Sequence, residues 1–153
     1  MATTYPSHTM ARSRVSTHPV HGMLSAYPLA CFTGAFLTDI AYLNSANMMW
    51  ANFSIWLITG GLVMGVLAAI VGIVDAIRNR GRETGRATRR RPWPHSLGTG
   101  LMMLLALVNA FIHSRDAWTS VVPTGIVLSA IVAVLALVTS WMGYSLEARQ
   151  EAR

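Results

Sequence analysis

Charged positions are not spread along this chain. They gather into patches that separate long uncharged runs. Residues 15–38, 40–74, 92–114 and 117–146 contain no Asp, Glu, Lys or Arg, and together they hold 112 of the 153 residues. A helix needs about 20 mostly apolar residues to cross a bilayer core. Each run can supply one crossing, and a helix satisfies its own backbone groups in lipid. The pattern predicts transmembrane helices near 20–42, 51–76, 96–113 and 121–144. The second run has 35 residues, too few for two spans and a turn, so Gly60-Gly61 reads as a packing site inside one helix. The expected fold class is all-α, an integral-membrane four-helix bundle over residues 17–146. A disordered tail is expected over 1–16, a basic loop over 77–94 and a C-terminal tail over 147–153.

Composition supports this reading. Hydrophobic residues make up 53% of the chain and charged residues 12%, about half the charged share of soluble domains. Both a soluble globular domain and a charge-rich disordered chain are thereby excluded. The lone cysteine, Cys31, excludes an intramolecular disulfide and a cysteine-ligated zinc site.

The net charge of +6 acquires meaning from its location. Eleven arginines lie at the two ends and in the middle loop: Arg12, Arg14, Arg78, Arg80, Arg82, Arg86, Arg89, Arg90, Arg91, Arg149 and Arg153. Only Arg115 lies on the opposite side. Arginine and lysine accumulate in cytoplasmic loops, so both termini and the loop 77–94 are expected in the cytoplasm. Trp50 and Trp118 then mark the outer interface, Trp93 and Trp141 the inner one. Every basic residue is Arg and none is Lys, a usage that suggests a high-GC bacterial genome and hence a bacterial inner membrane. The loop sequence RNRGRETGRATRRR has no aromatic residue and no folded scaffold. It reads as a topology determinant touching anionic headgroups, with no nucleic-acid partner. Arg12 and Arg14 could begin a signal peptide. The run that follows lacks a clean cleavage site, and Pro28 stands where a lipoprotein box needs an aliphatic residue, so the first helix is expected to be retained.

Ionisable residues inside spans are costly and mark candidate sites. His21 and Asp39 are eighteen residues apart, five helical turns, on one face with Ser25, Pro28, Phe32 and Ala35. His95 and His113 repeat that spacing on a face with Met102, Ala106 and Asn109. The common offset of 74 hints at a duplicated helical hairpin. On the second helix Gly61, Gly65, Ala68 and Gly72 form a small-residue stripe that favours close packing and leads to Asp75. Level counting gathers His18, His21, Asp75 and His95 into an inner cluster. It gathers Asp39, Asn109, His113 and Arg115 into an outer one, with Asp116 nearby. The inner set could hold a transition metal, or its imidazoles could ligate haem b between facing helices. It could equally be a hydrogen-bonded network that pins helix ends. The outer set is explained by an Asp39–Arg115 ion pair with Asn109 and His113 as hydrogen-bond partners.

At His18-Pro19-Val20-His21, opening an apolar helix, the chain resembles a family of bacterial four-helix membrane proteins grouped as domain of unknown function 2231. The matching positions continue with Asp39, Gly72-Ile73-Val74-Asp75, His95, Asn109 and Arg115, over residues 17–146. Gly22 departs from the pattern, which has a second proline there. The resemblance implies a fold and shared positions rather than an activity. Some members look associated with redox dehydrogenases or cytochromes.

No nucleotide loop, nucleophile elbow, zinc-protease motif or haem-attachment motif occurs, so no catalytic residue and no enzyme activity is expected. Two functions stand open. One is a redox-linked membrane subunit binding haem b or a transition metal at the His/Asp cluster. The other is a structural or accessory subunit without cofactor, contacting the bilayer and another membrane or redox subunit, or a second copy of itself. Transport ranks last, because about 27 Å of mostly apolar side chains separate the two clusters.

Overall fold

A computed structural model describes residues 19–80, 93–115 and 120–151 of the chain. They form four helices: α1 (Pro19–Ser45), α2 (Met48–Arg80), α3 (Trp93–His113) and α4 (Thr124–Glu151). All four contain a stretch long and apolar enough to cross a membrane. Among the described residues there is no strand.

All four helices extend beyond at least one expected end, α1 by three residues to Ser45. Nothing stops a helix where the bilayer stops, and it continues while its residues favour it. α4 runs through Leu146-Glu147-Ala148-Arg149-Gln150, all strong helix formers, where a tail was expected. α2 and α3 likewise take up both ends of the expected loop, reaching Arg80 and starting at Trp93. The expected disordered tail over 1–16 and the loop's centre, 81–92, lie outside the described residues. α4 starts three residues later than expected. Residues 120–123 form a turn, and its Val121 carbonyl accepts the Ile126 N–H at 2.8 Å.

Two residues join α1 to α2. Ala46 takes a left-handed backbone (φ 49°), and its N–H bonds the Tyr42 carbonyl at 2.7 Å, which closes the end of α1. Asn47 Oδ1 then accepts the Met49 N–H at 3.0 Å and caps α2. So short a link makes α1 and α2 antiparallel neighbours.

In the bundle α1 packs on α2 and α4, and α3 packs on α4 and, less closely, on α2. α1 and α3 therefore face each other across the diagonal. One end of the bundle, here the turn end, carries the links after Ser45 and His113. The other, the tail end, carries the outer ends of all four helices. The centre holds Phe32, Met102, Ala106, Val132 and Ala136, with a second buried group of Tyr42, Ala51 and Val121 toward the turn end. Large apolar side chains such as Trp56, Phe111 and Leu137 point outward, as a lipid-facing surface requires.

Glycines bring α2 onto its neighbours. A Cβ at Gly61 would lie 2.6 Å from Phe32 Cε1, and one at Gly65 would lie 2.6 Å from Met103 Sδ and 3.4 Å from Pro28 Cγ. Backbone approach of this kind is how helices associate in lipid, where burial of apolar surface supplies no drive. Gly60 meets nothing within 4 Å, so only the second glycine of the pair is at the contact.

Candidate functional site

The polar residues sort themselves to the two ends of the bundle. At the turn end, Asp39 is the centre. α1 turns Pro28, Phe32, Ala35 and Asp39 inward at helical spacing, while Ser25 is exposed and bonds only the Gly22 carbonyl. Asp39 has 0% exposure. Its Oδ1 lies 3.0 Å from His113 Nε2, and its Oδ2 accepts the Ser129 hydroxyl at 2.5 Å. Ser129 Oγ in turn accepts Asn109 Nδ2–H at 2.8 Å. His113 Nδ1 donates to the Asn109 main-chain carbonyl one turn back, at 3.1 Å. One carboxylate thus joins α1 to α3 across the diagonal and to α4 alongside. A further hydroxyl pair, Thr38 Oγ1 and Ser54 Oγ at 2.7 Å, joins α1 to α2 at the same end.

Asp39, Asn109 and His113 therefore meet, and Arg115 does not take the place expected for it. Arg115 is exposed and stands beyond the last turn of α3, its N–H bonded to the Ile112 carbonyl at 3.1 Å. Both carboxylate oxygens are instead occupied from inside the bundle. The physical reason is solvation: Arg115, two residues past His113, is exposed, and its guanidinium would have to leave water to reach a buried carboxylate that His113 and Ser129 already bond. Asp116 lies outside the described residues.

His113 fits because Gly125 opposes it. A Cβ there would lie 2.9 Å from His113 Cε1 and 2.6 Å from the Ser120 carbonyl. Among the described residues two buried side-chain polar atoms have no hydrogen-bond partner, Asn109 Oδ1 in this network and Thr33 Oγ1 on α1.

At the tail end the geometry is different. His21 Nδ1 donates to the Ala68 carbonyl of α2 at 3.0 Å, and His95 Nδ1 donates to the Thr139 carbonyl of α4 at 3.1 Å. Each carbonyl is reached over a glycine four residues later. A Cβ at Gly72 would lie 3.2 Å from His21 Cε1, and one at Gly143 would lie 3.5 Å from His95 Cε1. Helical Cβ atoms tilt toward the N-terminus, so the residue at i+4 shields the carbonyl at i, and glycine leaves it open. His21 on the first hairpin and His95 on the second make the same contact. His18 and the Asp75 side chain lie outside the described residues. Among the described residues, no group of three or more His, Cys, Asp or Glu gathers as a metal site.

Sequence reasoning passed over Ser129, Gly125, Thr139 and Gly143. Ser129 had a signal, being a hydroxyl on the α4 face that also carries Val132 and Ala136. The Gly143 signal was its partner Gly72: each follows by four residues a carbonyl that a histidine needs.

Four helices long and apolar enough to cross a membrane, packed with their polar side chains toward the two ends and an apolar exterior, define an integral membrane protein. The chain belongs to the family described as predicted membrane protein (DUF2231), which matches residues 17–153. No curated protein and no solved structure matches it.

Proposed function

We propose that this is an accessory subunit of a bacterial inner membrane, with both termini in the cytoplasm, which works through helix contacts with lipid and with another membrane subunit or a second copy. One observation carries the reading. His21, His95, Asp39, Asn109 and His113 each bond a neighbouring helix or the network that joins the helices. Polar side chains used this way stabilise one arrangement of the helices. The orientation rests on the eleven arginines at the ends and middle loop against Arg115 alone. Reporter fusions after Ala46 should read periplasm and after Glu83 cytoplasm. The reverse pattern would overturn the orientation.

A second reading has its own support. An imidazole that donates Nδ1–H to a main-chain carbonyl is held in the tautomer that metal-ligating histidines use, with Nε2 as the ligand atom. His21 and His95 both do so. With His18 and Asp75 they would form a redox-linked subunit binding haem b or a transition metal. An absorption spectrum and elemental analysis of the detergent-purified protein separate the two. The accessory reading expects no Soret band and no stoichiometric metal. Either signal, lost on His21→Ala, would replace it with the redox reading.

A further inference from the structure

The turn-end network constrains its protons. The Asn109 main-chain carbonyl can only accept a hydrogen bond, so His113 Nδ1, 3.1 Å away, carries a hydrogen. A neutral imidazole with its hydrogen on Nδ1 has a bare lone pair on Nε2. That lone pair would face Asp39 Oδ1 at 3.0 Å. An ionised carboxylate is also acceptor-only, and two acceptors repel at that distance. One further proton must therefore lie in the contact. Either the imidazole is protonated on both nitrogens against a carboxylate, or the carboxyl group donates to Nε2. The two forms have the same composition and a net charge of zero, a sum that suits a site with both side chains at 1% exposure or less.

We infer that Asp39 and His113 form a single proton-binding site whose proton latches the first hairpin to the second. The inference goes beyond the accessory role and does not depend on it. α1 belongs to one hairpin and α3 to the other, so the Asp39–His113 contact crosses between them. Removing the proton leaves a net negative charge in the bundle and two choices for the ring. With hydrogen on Nδ1, the Asp39 contact becomes repulsive. With hydrogen on Nε2, the Asn109 contact does. Both hydrogen bonds of His113 survive only in the protonated pair. Proton release therefore loosens the last turn of α3 from α1.

No other titratable group competes at this position among the described residues. α2 has none from Met48 to Val74, and α4 has none from Thr124 to Gly143. His21 and His95 bond carbonyls at the opposite end. Cys31 lies about two turns along α1. Tyr42, three residues along α1 from Asp39, directs its hydroxyl to Met48 Sδ at 3.8 Å. Arg115 is exposed past the end of α3.

The test is a pH titration of the full-length protein in lipid nanodiscs. It is followed by nitrogen-15 NMR of labelled histidine and by the infrared carboxyl band of labelled aspartate. With the latch closed we expect one of two signatures, a doubly protonated His113 or a protonated Asp39. Raising the pH should remove it in one step that moves both probes together. Amide exchange over Asn109–His113 should quicken across the same step. Asp39→Asn should abolish the step and keep the latch, since its amide can donate to a neutral Nε2 and accept from Ser129. A neutral His113 beside an ionised Asp39 while the contact is still closed would overturn the inference, as would two independent steps or a step that persists in Asp39→Asn. If that variant does not insert, the wild-type titration decides alone.

Discussion

The two ends of the bundle use histidine differently. At the tail end, His21 and His95 each bond a main-chain carbonyl within their own hairpin. At the turn end, His113 bonds a side chain of the other hairpin, and Asp39 adds a third helix through Ser129. The tail-end bonds adjust the closure of a hairpin whose two helices already adjoin. The turn-end bonds tie α1 to α3, which faces it across the diagonal, and to α4 of the second hairpin. A carbonyl is present whatever the sequence, whereas a carboxylate must be matched. Loss of a partner should therefore be mild at one end and severe at the other.

The largest effect is expected from His113→Leu, which leaves the Asp39 carboxyl group buried without its partner. Removing one partner of a buried pair costs about 3–5 kcal/mol, to be read as loss of unfolding free energy in mixed micelles. Ser129→Ala keeps the pair but strips one bond from Asp39 and one from Asn109, with an expected cost of about 1–3 kcal/mol. If Ser129→Ala proves as damaging as His113→Leu, the pair is not the centre of the turn end. The smallest effect belongs to His21→Ala and His95→Ala. Each removes, among its contacts, an interhelical bond to a carbonyl already engaged by its own helix, a bond worth about 0.6 kcal/mol in lipid. Near-equal losses for the two would support equivalent roles in the two hairpins. A loss of several kcal/mol at either would show that the tail end, too, binds the hairpins to each other.

The helices were legible in the sequence because lipid tolerates so few charges that their absence marks a span directly. Helix ends were less so, since Ala148-Arg149-Gln150 favour helix as much outside the bilayer as in it. The inward faces of α1 and α3 followed from the eighteen-residue spacings. The grouping of Asp39 with His113 and Asn109 was legible, but the ion pair with Arg115 was not the contact found, for a physical reason. Charge alone nominates Arg115, but burial decides, and the neutral-looking His113 is the buried partner. Ser129 escaped because a hydroxyl in a span can satisfy itself against its own helix, as Thr139 does on the Leu135 carbonyl at 2.7 Å. Nothing in one sequence tells which hydroxyl turns away to a partner.

Asp39 meets partners that lie 74 and 90 residues further along the chain. A ribosome adding roughly 5–20 residues each second delivers His113 about 4–15 s after Asp39. In the later part of that interval, once α2 has been made, the first hairpin exists without the second. Its glycine contacts can close at once, because Gly61 and Phe32 are both already made. Its carboxylate must stay neutral or remain near water until α3 and α4 arrive. The order of biogenesis is thus built into the bundle: α1 and α2 can close on each other by shape before Asp39 has either of its partners.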